Sequence, residues 1–440
     1  MATQTTPPGN LGFPIIGETI AFLREGDFSK KRHQKYGEIF KTRLFGKPTI
    51  VIKRAEANQF VLSNENKYVT ATWPPSTRIL LGKLSLAVRT GHEHRQRRKI
   101  MAQAFRPRAL TSYLETMEAI TNEYLKSWEE QATLTWYPQI RNYTFDIACQ
   151  LFVGLKNGST TELSKLFETW LKGLFSLPLP FPWTRFSQAL NSREKLLQQL
   201  EQIIQTRQAS SESRNDALGL LIAAKDEEGN QLSVDDLKDQ ILLLLFAGHE
   251  TLTSGITSFC LLMAQYPEVL QKVREEQKQF SASEPITLET LQNMTYLEQV
   301  LQEVLRLIPP VGGGFREVIE DCEIAGYLIP KGWNVLYQIN QTHQEATVYP
   351  QPNNYQPERF NPEVADNPSK TYNYIPFGGG MRECLGKEFA RLEMKLFAVH
   401  LVRNYQWELL PDQDTELALV PVPRPRDGLK VKFQKLEKPI

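Results

Sequence analysis

"PFGGGMRECLG", residues 376–386, sets one cysteine behind three consecutive glycines and directly ahead of a segment with helical spacing. Beyond it Phe389, Leu392, Leu396 and Val399 recur at three- and four-residue steps, the apolar stripe of a buried helix. Cys384 is therefore expected just before a helix N-terminus, where backbone amides and the helix dipole favour an anion, and so a thiolate that can ligate a metal. Gly378, Gly379 and Gly380 allow backbone angles closed to other residues, and Gly386 has no side chain to obstruct a flat group resting on the turn. Arg382, with its rigid fork of donors, suits a carboxylate at the edge of such a group. One thiolate, an open face and an arginine for a carboxylate together describe a haem site. A cysteine in a glycine-rich turn with no further pattern would instead be a buried structural residue.

The pattern is F-x-x-G-x-R-x-C-x-G, at Phe377, Gly380, Arg382, Cys384 and Gly386, and on it the chain resembles the cytochrome P450 family of haem-thiolate monooxygenases. The resemblance implies one large, mainly helical domain over residues 1–440 with a small β-rich lobe. It also implies haem b bound through the Cys384 thiolate, with Phe377, Gly378, Arg382 and Gly386 around it. The same likeness runs outward along the chain in the order the family implies. "EVLR" matches an E-x-x-R motif at Glu303 and Arg306, and "PERF" supplies Arg359 to complete a charged triad supporting the cysteine loop. Taken alone, a Glu-x-x-Arg pair is more often an exposed ion pair worth well under about 1 kcal/mol.

"AGHET", residues 247–251, lies inside an apolar segment and matches the family's central-helix signature. Ala247 and Gly248 are small enough to leave room beside a haem, and Glu250 and Thr251 place an acid and an alcohol where oxygen reduction consumes protons. Read without the resemblance, Thr251 would bond back to a helix carbonyl and Glu250 would pair with a surface base. "GHEHRQRRKIMAQAFRP" resembles the helix at the haem edge, which makes His94 and Arg98 candidates for the haem propionates, with His92 the competing histidine. Arg316, just after "PPVGGGF", is a further propionate candidate by its matching place.

Composition sets the outer bounds. The chain has 440 residues, 41% hydrophobic and 23% charged, enough to bury a large core. A formal net charge of +1 gives no overall attraction to nucleic acid or anionic membrane, so no nucleic-acid partner is expected. Cys149, Cys260, Cys322 and Cys384 lie far apart with no C-x-x-C pair, which argues against zinc ribbons, iron–sulfur runs and a disulfide framework. The opening "MATQTTPPGNLGFPIIGETI" has no signal-peptide pattern, and "ILLLLFA" at 241–247 falls far short of the roughly 18 apolar residues a span needs. A soluble, cytoplasmic enzyme without a transmembrane anchor is expected, served by a ferredoxin or flavodoxin.

Periodicity predicts a helix around 19–35, a hairpin from "IFKTRLF" and "TIVIKR", and helices from about 92 to 308 interrupted by loops such as "ASSESRND" at 209–216. Strand patterns return near 316–340. The β-rich lobe is thus drawn from about 36–70 and 316–375, and the helical lobe from about 92–308 and 384–404.

Within the family the chain is most similar to the retinoic-acid-hydroxylating branch, through "WPPSTRILLG" (73–82), "PPVGGGFR" (309–316), "IPKGWNVLYQINQTH" (329–343) and "FGGGMRECLGKEFA" (377–390). The resemblance implies a hydrophobic substrate, most naturally a retinoid. It points to Trp73, Arg78, Phe175, Phe181, Pro182, Ala247, Gly312 and Gly313 as pocket residues, with Arg78 the base for a substrate carboxylate. A fatty-acid or terpenoid hydroxylase of the same fold is the alternative, as is a non-catalytic haem protein that binds retinoids.

Overall fold

The computed structural model describes residues 5–210, 214–281, 284–363 and 371–440. Residues 211–213 of the loop expected at 209–216, and residues 364–370 of the stretch assigned to the β-rich lobe, lie outside the described residues. Contacts divide the chain into two compact units. One comprises Met1–Pro75, Gln302–Cys384 and Ala418–Pro423; the other comprises Ser76–Leu301, Leu385–Leu417 and Arg424–Ile440.

The first unit holds a five-stranded mixed sheet. The expected hairpin is present as β1 (Ile39–Leu44) and β2 (Lys47–Ile52), paired antiparallel with Ile39 opposite Ile52. Helix α1 (Ala55–Ser63) follows, then β3 (Val69–Thr72), and the sheet is completed by β4 (Gly313–Val318) and β5 (Asn334–Gln338) in the order β1-β2-β5-β4-β3. The parallel β2–β5 pair is buried on both faces, which is why these strands read as continuous apolar runs. Ile50, Ile52, Val335 and Tyr337 pack with Val61, Leu62 and Val69 on one face, and Val51 and Leu336 pack with Phe28 and Phe40 on the other. The helix expected around 19–35 is two helices, Thr19–Arg24 and Phe28–Tyr36, interrupted around Gly26.

The second unit is helical. It contains α2 (Gly91–Met101), α3 (Pro107–Gln131), α4 (Trp136–Phe152), α5 (Glu162–Leu174), α6 (Arg185–Ala209) and the 32-residue α7 (Val234–Gln265). Helix α8 (Thr295–Leu307) carries the chain from the second unit into the first, and α9 (Lys387–Asn404) belongs to the second. Ser233 caps α7 by accepting from the Asp236 N–H, and from Leu252 to Met263 every side chain of α7 is buried. A helix buried on all sides along this stretch needs a core around it, and α4 and α6 pack against this one. No helix among the described residues is long and apolar enough to cross a membrane.

Two boundaries differ from the sequence reading. Residues 302–308 and Cys384, read with the helical part, group by contact with the strand-rich unit. The reason is polar: Glu303 and Arg306 are tied to the 343–359 segment, and the Cys384 N–H donates to the Phe377 carbonyl.

Candidate functional site

The sequence-predicted residues divide between the two units, and each set is described within its own. In the strand-rich unit the loop 376–384 closes on itself, with the Gly378 N–H donating to the Ile375 carbonyl at 2.9 Å and the Cys384 N–H to the Phe377 carbonyl at 2.8 Å. Cys384 is exposed, whereas Cys149, Cys260 and Cys322 are buried. Burial pushes the Cys149 and Cys260 thiols well up and that of Cys322 to about 11. Gly378 sits at a φ of 72°, and a side chain there would meet no atom closer than 3.8 Å, so conformation rather than crowding asks for glycine.

Gly380 is crowded as well as left-handed. At a φ of 63°, a Cβ there would stand 2.0 Å from the Leu62 carbonyl oxygen at the end of α1. The absence of that atom lets the 380–382 turn lie against α1 and brings Arg382 to Glu65, the second residue after the helix. Arg382 Nε donates to Glu65 Oε1 at 2.9 Å. Arg316 comes to the same carboxylate from β4, where it stands opposite Ala71 of β3, and its Nε lies 3.1 Å from Glu65 Oε2. That second contact is an ion pair without hydrogen-bond alignment. Glu65 Oε1 also accepts from the Ala71 N–H at 2.9 Å. Two propionate candidates far apart in sequence thus meet on one buried carboxylate that the sequence reading missed. A lone glutamate in the polar turn "NENKY" carries no pattern that would have marked it.

The charged triad belongs to the same unit. Glu303 and Arg306 are fully buried, with Arg306 Nε donating to Glu303 Oε2 at 2.6 Å and Nη2 to Oε1 at 2.8 Å. Arg359 Nε lies 3.4 Å from Glu303 Oε1. Arg306 also donates to the His343 and Asn354 carbonyls, while Glu303 accepts from the Gln356 N–H, so the pair fastens three backbone groups of the 343–359 segment. His343 Nε2 accepts from the Ile375 N–H at 2.9 Å, two residues before Phe377. Burial first, and the Arg306 charge second, hold His343 down to about 3, so it is neutral at pH 7.

Among the substrate candidates here, Trp73 is half-buried and Gly312 is exposed. A Cβ on Gly313 would lie 2.3 Å from the Tyr337 carbonyl oxygen, so glycine there serves the close β4–β5 pairing.

In the helical unit, His94 is buried and Arg98, one turn further along α2, shares its face, whereas His92 is exposed. Phe105 packs edge-on against Phe152 and Phe389, and a Cβ on Gly386 would meet Phe105 only at an ordinary 3.7 Å. Along α7, Leu243, Ala247 and Thr251 recur every four residues and stay accessible in a helix otherwise largely buried. This open stripe is where a flat group and a substrate would find a helix face. Gly248, next to Ala247, is also partly accessible, and a Cβ there would stand 2.7 Å from the Phe152 ring, so its glycine also admits α4.

Thr251 donates to the Ala247 carbonyl at 2.7 Å, the back-bond any helical threonine can make. Glu250 is buried, and Arg141 of α4 donates from Nε to its Oε1 at 3.0 Å, while Arg141 Nη1 reaches Glu168 of α5 at 3.0 Å. Burial alone would raise the Glu250 carboxyl, but the His249 hydrogen bond and the Arg141 charge outweigh it and hold it at about 2. Burial keeps His249 neutral at pH 7, so Arg141 is the standing countercharge. The expected acid is therefore an ionised acceptor in this conformation, and its partner is not the surface base considered from sequence but a partly buried arginine.

Phe175 is half-buried, whereas Phe181 and Pro182 are exposed, with Phe181 stacked on Trp183 at 5.4 Å between centroids. Arg78 is exposed on the helix Pro75–Leu81. The structure therefore encloses none of these last three.

The donor set of the strand-rich unit fits a haem: one accessible thiol on a glycine loop and two guanidinium groups converging on a single carboxylate. Comparison with known proteins agrees. The family model described as Cytochrome P450 matches residues 7–433. The chain is 54% identical over 430 residues to a protein of Synechocystis sp. named putative cytochrome P450 120, covering 98% of this chain and 97% of that one. It is 36% identical over 440 residues to cytochrome P450 26B1 of Xenopus tropicalis, covering 97% and 86%. A solved structure titled retinoic acid bound cyanobacterial CYP120A1 superposes with a TM-score of 0.94 at 53% identity, over 99% of this chain and all of that one.

Proposed function

The chain belongs to the cytochrome P450 family, and from that premise we propose that it hydroxylates a retinoid, retinoic acid before others. The observation that carries the substrate is the likeness, along nearly the whole chain, to a structure holding retinoic acid. As a monooxygenase of this family it uses haem, whose iron, when bound through the Cys384 thiolate, supplies oxygen activation and insertion of one oxygen atom into the substrate.

This chain's own residues supply the rest. Arg316 and Arg382 from the strand-rich unit, and His94 and Arg98 from α2, are the groups we assign to the haem carboxylates. Ala247 leaves room on the open stripe of α7. Thr251 offers a hydroxyl that donates to a helix carbonyl, a bond that can be given up without breaking the fold. Glu250 takes a proton only when Arg141 releases it. Thr251→Ala should keep substrate binding and lose more than half of the electrons to peroxide or water; coupling of electrons to product equal to wild type would remove Thr251 from the mechanism.

A retinoid's rigid apolar skeleton gains on the order of 25 cal/mol per Å² when buried, before the cost of immobilising it. Its carboxylate is costly to bury unpaired, so the exposed Arg78 suits a carboxylate left at a channel mouth and the ring end would face the iron. Electrons would come from a small acidic ferredoxin or flavodoxin. Lys387 and Arg391 are the cations we assign to steer it, and Arg391 also meets Glu298 at 2.8 Å and Glu388 at 3.1 Å. The test is a spectral titration followed by ferredoxin-driven turnover. Retinoic acid should move the haem to high spin at lower concentration than a saturated fatty acid, Trp73→Ala should weaken binding about tenfold and more than Arg78→Ala, and the turnover rate should fall as salt rises. A shift by the fatty acid alone makes this a fatty-acid hydroxylase, and binding without turnover makes it a carrier.

A further inference from the structure

Arg316 and Arg382 arrive at the same place by unrelated routes, one along a strand and one through a glycine turn, and both present Nε to Glu65. Arg382 donates to it through Nε, which fixes that guanidinium plane, whereas Arg316 is held there by charge without hydrogen-bond alignment and donates from Nη1 to the Phe315 carbonyl at 3.0 Å. Glu65 is itself immobilised. Its side chain is 1% exposed, and Ala71, the cross-strand partner of Arg316, donates its N–H to Oε1. Its place is set by the end of α1, against which Gly380 makes its close approach. One carboxylate therefore joins the end of α1, the β3–β4 pair and the cysteine loop of the strand-rich unit.

We propose that Glu65 is a positioning residue of the haem site, which holds Arg316 and Arg382 at one separation and orientation so that both meet the haem carboxylates together. Glu65 touches no cofactor atom in this role; it acts through the arginines. A carboxylate buried so close to two guanidinium groups also competes with the haem for them, so a stability argument alone does not account for it. Two cations left unpaired would repel and turn to separate partners, and the second would then have to be brought back at each haem binding. Pairing both in advance removes that ordering cost, as partners behind the ligands of metal sites do.

The proposal rests on the assignment of Arg316 and Arg382 to the haem carboxylates, and the experiment separates the two. Haem loss from the purified holoenzyme to excess apomyoglobin is timed for Glu65→Gln, Arg316→Gln, Arg382→Gln and the pairwise doubles, with the ferric and carbon monoxide spectra recorded throughout. Glu65→Gln keeps size and one acceptor, and should lose haem about tenfold faster. Because Glu65 acts through both arginines, adding Glu65→Gln to Arg316→Gln removes only its hold on Arg382 and should add about threefold rather than tenfold. If the arginine variants lose haem faster and Glu65→Gln loses it at the wild-type rate, or adds its full effect in their background, the positioning role is overturned while the arginine assignment survives. If the arginine variants keep haem as wild type does, both fall. Should Glu65→Gln yield no folded holoenzyme, Glu65→Asp enters the same cycle. It keeps the charge but shortens the reach, and wild-type haem loss from it likewise overturns the proposal.

Discussion

Cys384→Ser should abolish the strongly red-shifted Soret band of the reduced, carbon monoxide-bound holoenzyme, and with it all detectable hydroxylation. The other three cysteines cannot take over. Cys149 and Cys260 are buried with thiols pushed far up by desolvation, and Cys322 is buried in the sheet core with its thiol at about 11. Only Cys384 lies accessible, on a loop where the hydrogen bond from its N–H to the Phe377 carbonyl fixes where the sulfur starts. A serine there presents a hard, protonated oxygen in place of a soft thiolate, and loses the electron donation that favours O–O cleavage. The loss should be complete rather than partial, because the bond itself is changed and not its surroundings. Retention of the red-shifted band in the variant would show that another group ligates the iron.

The same loop shows how far the sequence could be read. Glycine and arginine at fixed distances from one cysteine are local demands, set by φ angles and by a guanidinium two residues away, and these survive in a linear pattern. The hairpin and the long helices were legible for the same reason, since period-two and period-3.6 patterns are short-range. Partnerships across the chain were not. Nothing near residue 65 says that its carboxylate will meet residues 316 and 382, and nothing in "AGHET" says that Arg141, from another helix, will hold Glu250 ionised. Nor could the close neighbours of Gly248 and Gly313 be read there, the Phe152 ring in one case and the Tyr337 carbonyl in the other.

Arg306→Met should lower stability by about 3–5 kcal/mol, the range for a buried ion pair broken from one side, whereas deleting either partner of an exposed pair costs under about 1 kcal/mol. Glu303 and Arg306 are both fully buried, so the methionine variant leaves a carboxylate in the core that retains only Arg359 at 3.4 Å and the Gln356 N–H. It also strips donors from the His343 and Asn354 carbonyls, which loosens the segment that carries the Ile375 bond to the cysteine loop. Haem should therefore be lost more readily even though Arg306 lies outside the haem contacts assigned above. The double change Glu303→Met with Arg306→Met should recover part of the stability, since no unpaired charge then remains. The pH dependence has a definite sign. An unfolded histidine takes up a proton near pH 6.5, whereas folded His343 resists it down to about 3, so its contribution to stability is whole above pH 6.5 and is lost as pH falls from there. Removing Arg306 withdraws the second of the two causes that depress His343, which narrows that window and flattens the acid limb relative to each protein's own value at pH 7. Denaturant unfolding of the holoenzymes at pH 7 and pH 5 measures both effects. A loss of under about 1 kcal/mol in Arg306→Met at pH 7 would class this pair with surface ion pairs and remove the triad from the support of the cysteine loop.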